Sequence, residues 1–190
     1  KGMLRRFRRQ AARTSARMKA WADKAPLVGV EPAVNLVYED EYPHVLGRDP
    51  GYRVMDAAAF LERRLSDLPR LAYDGPGFKL FGHCTERTAD PQAMARWQRL
   101  FECLGVPLEV VEVGCCGMCG FYGHEAEHAA ESKGIFAESW AKRLDGIPPA
   151  QVLATGYSCR SQVKRCVGFR PRHPAEALAS LLPIQNADSP

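Results

Sequence analysis

Four cysteines that follow three apolar runs constrain this chain more than any other feature. Phe78–Phe81 precedes Cys84, Leu108–Val113 precedes the adjacent pair Cys115 and Cys116, and Gln151–Thr155 precedes Cys159. Each run is short, rich in branched or aromatic residues and bounded by Gly, Pro or polar residues, which is the pattern of a buried strand. A fourth run, Leu27–Val30, has the same character. Amphipathic stretches between them predict helices over Met55–Leu68, Pro91–Leu104, His124–Leu144, Ser158 to about Cys166, and Pro174–Leu182. Asp90 is the expected N-cap of the second, with Pro91 in its first turn. Strands alternating with helices imply right-handed crossovers. The expected fold is therefore a small α/β domain: a mainly parallel, four-stranded sheet with flanking helices and an N-terminal helical extension. The carboxyl ends of parallel strands share one edge, where ligands bind. On that edge Cys84 and Cys159, 75 positions apart, are expected to converge.

Composition narrows the class. The chain has 190 residues, 46% hydrophobic and 25% charged, an ordinary globular balance that excludes disorder, collagen and coiled coil. No apolar run approaches the roughly 18 residues a bilayer span needs, and the Arg-rich start lacks the apolar core of a secretory signal. Seven cysteines, an odd number without such a signal, argue against a disulfide framework and for metal binding or catalysis in a cytoplasmic setting. The chain starts at Lys1 with Met at position 3, so a piece of a longer protein is expected.

Charge is unevenly spread. Residues 1–25 carry nine Lys or Arg against Asp23 alone, so a segment of +8 precedes a remainder of −4. Residues 3–22 read as a polar helix with Met3, Phe7, Ala11, Met18 and Trp21 as sparse anchors, a helix that packs on something else. Docking on the acidic remainder of its own protein is expected rather than binding to nucleic acid or a membrane surface, because no basic stripe interleaved with aromatics follows. The expected organisation is a basic helix or linker at 1–25, a cysteine-rich α/β domain at 26–184 and a polar tail at 185–190.

Gly114, Gly117, Gly120 and Gly123 surround the central cysteine pair, giving a loop that can bend sharply and bring backbone close to a bound group. Cys159 follows Ser158, an expected N-cap, which would set its thiolate at the positive end of a helix dipole. Clustered thiolates suit iron–sulfur or zinc. Cys103, inside an amphipathic helix, and Cys166, near a helix end, read as packing residues.

His83-Cys84, then Cys115-Cys116-Gly117, then Cys159-Arg160-Ser161-Gln162 resemble the CCG, or cysteine-rich, domain family over roughly residues 27–182. That family includes the heterodisulfide reductase B subunit and the iron–sulfur subunits of glycolate oxidase and anaerobic glycerol-3-phosphate dehydrogenase. It also includes the C-terminal part of fused FAD-linked oxidases of the D-2-hydroxyglutarate or D-lactate dehydrogenase type. The stretches HCTERT, GCCGMCGFYGHE and TGYSCRSQVKR look most like the fused enzymes. The resemblance implies an iron–sulfur cluster of 4Fe–4S type held by Cys84, Cys115, Cys116 and Cys159, with His83, Gly117 and Gln162 lining it and no catalytic residue on this chain. It implies FAD on an upstream part only, partners among upstream FAD and ferredoxin-like domains or subunits, and electron transfer from a flavin that oxidises a 2-hydroxy acid. It also admits oligomerisation and peripheral membrane association of the whole enzyme.

The departures matter. Family members with a five-thiolate, non-cubane cluster end in CxxC, and here Gln162 stands where the last thiol would be; Glu31-Pro32 is followed by Ala33-Val34 where a cysteine is usual. A complete thiol set for two clusters is absent. Cys119, an extra position, is either a replacement ligand or a bystander. Gln162 is either a weak ligand or hydrogen-bonding group, or ordinary polar packing. Two alternatives stay open: a degenerate domain acting as a structural or oligomerisation module with or without zinc, and a thiol–disulfide reductase.

His124-Glu125-Ala126-Glu127-His128 fits HExxH on an expected helix, but no third ligand follows to complete a zincin site. His83 is expected to tune a cluster through sulfur or to cap the sheet edge. His44 and His173 are expected in solvated loops beside Pro. No GxGxxG, GxxxxGK[ST] or G-x-S-x-G motif is present.

Overall fold

The computed structural model describes residues 2–182; the expected tail at 185–190 lies outside them. The chain divides into two compact units, Lys1–Arg63 and Arg64–Pro190. No described helix is long and apolar enough to cross a membrane.

The first unit runs α1 (Leu4–Ala22), β1 (Leu27–Gly29), α2 (Pro32–Leu36), a π-turn over Val37–Glu41, α3 (Tyr42–Leu46), β2 (Val54–Asp56) and α4 (Ala57–Glu62). The basic helix packs inside this unit. Ala11 and Ser15, one turn apart on α1, are buried. Phe7 meets Tyr42 of α3 edge to face at 5.7 Å, and Ser15 Oγ lies 3.3 Å from Tyr52 OH. Of the expected anchors Ala11 is buried and Phe7 and Met18 half-buried, whereas Met3 and Trp21 are exposed. β1 and β2 pair in parallel, Leu27 opposite Val54 and Gly29 opposite Asp56. Asp56 then caps α4, its Oδ1 accepting from Ala58 N–H at 2.8 Å.

That pairing corrects the expected single sheet. The Leu27–Val30 run forms a two-stranded sheet of its own, and three strands form the other. Its partner was hidden because Val54-Met55-Asp56 runs directly into Ala57-Ala58-Ala59, and three residues of strand do not break a helical periodicity. The helix expected over Met55–Leu68 is accordingly only α4 and a 3-10 turn at Leu65–Asp67. His44 lies in α3, not in a loop.

The second unit contains β3 (Phe78–Phe81), α5 (Cys84–Ala89), α6 (Ala93–Cys103), β4 (Leu108–Val111), α7 (Ala129–Phe136), a π-turn over Ala137–Ala141, α8 (Lys142–Leu144), β5 (Val152–Ala154), α9 (Tyr157–Val167) and α10 (Pro174–Leu181). The strands are parallel in the order β4-β3-β5, with Phe81 between Val111 and Ala154. Alternation along β3 separates two faces. Phe78 turns to Phe101 of α6 (6.0 Å), while Phe81 turns to Trp140 (5.1 Å) beyond α7. Trp97, Leu100, Phe101 and Leu104 recur at helical spacing and are buried. The α/β class and parallel pairing read from the sequence therefore hold.

Local starts differ from expectation. Asp90 Oδ1 accepts from Gln92 N–H at 3.0 Å, and α6 begins only at Ala93. The helix expected from His124 begins at Ala129, because two 3-10 turns, Tyr122–His124 and Ala126–His128, flank an extended Glu125. His173 is buried, caps α10 in a reciprocal capping box with Glu176 and packs edge to face on Trp97 at 5.7 Å. It is not a solvated loop residue.

Candidate functional site

The strand order puts the cysteines together. β3 is central, and the chain crosses from β4 over it to β5, so the crevice beyond the ends of β3 and β5 is the reversal point of the sheet. Cys84 is the first residue of α5 after β3, Cys159 is in the first turn of α9 after β5, and Cys115 and Cys116 come in on the loop after β4. Gly156, not Ser158, is the N-cap of α9.

The four thiols form one hydrogen-bonded chain: Cys84 with Cys115, Cys115 with Cys116, and Cys116 with Cys159. Cys116 and Cys159 are buried; Cys84 and Cys115 are half-buried. Such a group cannot hold four negative charges side by side. Hydrogen bonds from Cys116 and Cys84, and from the Gly117 N–H at 3.3 Å, hold the Cys115 thiol far below its ordinary value. Its hydrogen bond to Cys115, then burial, pushes the Cys84 thiol up; bonds to Cys115 and Cys159, then burial, do the same to Cys116. Cys115 is thus the most readily ionised of these three thiols, and Cys84 and Cys116 are the two that keep their protons beside it.

His83 ties the loops after β3 and β5. Its backbone N–H donates to Thr155 Oγ1 at 2.9 Å, and the Thr155 hydroxyl donates to the buried Glu86 carboxylate. Its Nδ1 accepts from Thr85 N–H at 3.2 Å, capping α5, so the ring proton sits on Nε2 and faces Ser158 Oγ at 3.2 Å. Burial lowers its pKa, opposed by the charge on Cys115. Both ring nitrogens are engaged with α5 and α9.

The cysteine-pair loop is held from three sides. Arg87 donates to Val113 O and pairs with Glu112 at 2.8 Å. Gly114 N–H donates to Ser139 Oγ at 2.7 Å, and Trp140 Nε1 donates to Gly114 O at 3.1 Å. Gly117 has φ +84, and a Cβ there would stand 2.2 Å from Ser132 O, so only glycine fits. Gln162, fully buried, donates through Nε2 to that carbonyl (3.2 Å) and to Ser132 Oγ (2.9 Å). An open cleft of about 540 Å³, lined by Gly114, Cys115, Ile135, Ser139 and Arg143 among others, leads to the Cys115 sulfur.

The remaining candidates separate from this group. Cys119 is exposed in a left-handed turn (φ 38) beside Tyr122 and, among the described residues, joins none of those thiol hydrogen bonds. Cys103 Sγ lies 3.7 Å from Leu65 O, and Cys166 packs on the core. The HExxH histidines are not on one helix turn: His128 stacks on Tyr122 at 4.0 Å and His124 is exposed. Sequence reasoning missed Thr155, Glu86, Arg87, Ser132 and Trp140. Thr155 was legible as the polar end of an apolar run before Gly156; Ser132 carries no sequence signal.

Fold and site together define an α/β domain whose four converging thiols lie at the carboxyl edge of a parallel sheet. Its sequence is similar to segments of larger oxidoreductases. Over 184 residues it is 45% identical to a D-2-hydroxyglutarate dehydrogenase of Escherichia coli (strain K12), a match covering 96% of this chain and 18% of that protein. The corresponding figures for the Pseudomonas putida D-2-hydroxyglutarate dehydrogenase are 44% over 179 residues, 93% and 17%. One subunit of the anaerobic glycerol-3-phosphate dehydrogenase of E. coli (strain K12) is 26% identical over 165 residues, with 83% of this chain and 40% of that protein covered. The chain thus spans less than a fifth of the D-2-hydroxyglutarate dehydrogenases it matches. No family model and no solved structure matches it.

Proposed function

We propose that this chain is the cysteine-rich electron-transfer domain, of CCG type, of a FAD-linked iron–sulfur oxidoreductase that oxidises a 2-hydroxy acid. Cys84, Cys115, Cys116 and Cys159 hold a 4Fe–4S-type cluster, and the flavin belongs to an upstream part of the protein. The observation that carries this reading is the single hydrogen-bonded chain of four thiols from three loops. The similarity to dehydrogenase segments supports it. When bound, the cluster supplies one-electron relay chemistry. The chain's own residues fix the thiols, through His83, Arg87 and Gly117, and leave Cys115 reachable from the cleft. Clustered thiols that must stay reduced favour a cytoplasmic location.

A structural zinc module is the second reading, favoured by the count itself, since four thiolates close a tetrahedral zinc site. Iron, acid-labile sulfide and zinc per chain, measured on anaerobically purified wild type and Cys116→Ser, separate the two. Stoichiometric iron and sulfide in the wild type, lost in the variant, is the expected result. Zinc alone, or no metal, overturns the electron-transfer role.

A further inference from the structure

Two stretches of the chain repeat one another in structure. β1 pairs in parallel with β2, Val28 opposite Met55, and Asp56, the residue after that partner, caps α4 by accepting from Ala58 N–H. β5 makes a parallel bridge to Arg172, Leu153 opposite it, and His173, the residue after that partner, caps α10 by accepting from Ala175 N–H at 3.1 Å. With Val28 set on Leu153, the earlier helix caps coincide as well: Glu31 opens α2 where Gly156 opens α9. The helical run from α2 to α3 ends on Gly47 in the left-handed region, as α9 ends on Gly168. Leu61 of α4 and Leu178 of α10 stand at the same distance beyond their caps.

The repeat is complete in the second unit and cut short in the first. β5 lies between Arg172 and β3, so both its edges are paired, and Val152, Leu153 and Ala154 are all buried. β1 has β2 on one side and, among the described residues, no strand on the other. Val28 is 39% exposed and Val30 59%, where their counterparts Leu153 and Thr155 are 0% and 1%. Ala154 N–H donates to Arg172 O at 3.0 Å and Thr155 N–H to Phe81 O at 3.4 Å, so successive residues of β5 serve opposite neighbours. By the same alternation Val28 and Val30 present their peptide groups to the open side of β1. Parallel sheets are built to be covered, two short strands are marginal alone, and an unpaired edge is a template for another strand.

We infer that a strand of β3 type, from a part of the full-length protein outside this chain, adds in parallel to the open side of β1. The proteins that the chain matches have room for it, since less than a fifth of their length is spanned. In the second unit Leu80 lies opposite Leu153. The added strand sets an apolar residue of the same kind opposite Val28 and covers both exposed valines. Main-chain hydrogen bonds supply the attachment, and the apolar side chains supply the choice of partner. The loop after β1 is then the counterpart of the loop that carries Cys159, with Val34 at the cysteine's position. The strand therefore completes a second sheet that lacks the counterpart of Cys159, and nothing in this pairing depends on what the four thiols hold.

The test is amide hydrogen exchange at single-residue resolution on the full-length protein, with photo-leucine incorporated in a parallel sample to crosslink whatever lies beside Leu27. The Val28 and Val30 amides are expected to exchange within about tenfold of those of Leu153 and Thr155, as amides of a paired interior strand do. Crosslinks from Leu27 are expected to reach an apolar segment of the same polypeptide outside these 190 residues. Fast exchange at Val28 and Val30 beside slow exchange at Leu153 overturns the inference, because the edge is then open. Crosslinks confined to the 190 residues overturn it too, as do crosslinks to a second polypeptide, which would make the edge an interface between copies.

Discussion

His83 lies directly on Gly156: a Cβ at Gly156 would stand 2.2 Å from His83 Cδ2. The residue capping α5 and the residue capping α9 thereby fix each other, and with them the approach of Cys84 to Cys159. Gly156→Ala is expected to destabilise the fold by about 1–3 kcal/mol through overpacking. It should also lower metal uptake at equal folded fraction. Urea denaturation and metal analysis check this; wild-type stability would show that His83 has room to yield.

Burial holds the His173 imidazole down at about 4, with Arg160 adding to the shift and Glu176 opposing it. The folded state keeps this ring neutral while the unfolded chain protonates it near 6.5. Its stabilisation is thus complete above the unfolded value and is lost as pH falls from there towards 4, about 3 kcal/mol in all at roughly 1.4 kcal/mol per unit. His173→Asn, which keeps a capping acceptor, should flatten the acid side of a stability–pH profile. An unchanged slope would exclude His173 as its source.

Cys115 should be the first thiol alkylated in the metal-free chain at about pH 6, where ordinary thiols are protonated. Its hydrogen bonds hold it far below the ordinary thiol range, and it lines the cleft. Peptide mapping after brief iodoacetamide treatment reads this out. Labelling of the exposed Cys119 ahead of Cys115 would contradict the charge placement.

Trp140→Phe removes the donor to Gly114 O and leaves a gap beside Phe81 and Phe136. A loss of about 2–4 kcal/mol is expected. Thermal unfolding measures it, and a change under about 0.5 kcal/mol, the range of ordinary surface substitutions, would deny Trp140 its role in holding the loop.

Metal content should sort the cysteines. Cys84→Ser and Cys159→Ser are expected to lose the bound metal, and Cys119→Ser and Cys103→Ala to retain it. Loss on Cys119→Ser would restore that residue to the ligand set.

The sequence announced the three site-bearing strands because each apolar run ends against Gly or a polar residue, and their parallel pairing followed from the helices between them. It hid β2, whose three residues merge into an alanine-rich helix, and so hid the division into two sheets. The four cysteines were legible because chemistry restricts clustered thiols. The supports were not. Ser132, Arg87 and Trp140 act through contacts 26 to 30 residues distant, and such side chains look like any other helix residue until the backbone brings them in. His173 misled for a similar reason: His-Pro marks a helix start, but only Trp97 shows that the start is buried.

The thiols also set a schedule for biosynthesis. Chains fold from the N-terminus as they are made, and Cys84, Cys115 and Cys116 emerge well before β5 and α9 bring Cys159 to complete the chain of thiols. No nascent polypeptide that stops short of α9 contains all four. A site that uses all four is therefore complete only once the whole sheet has been made.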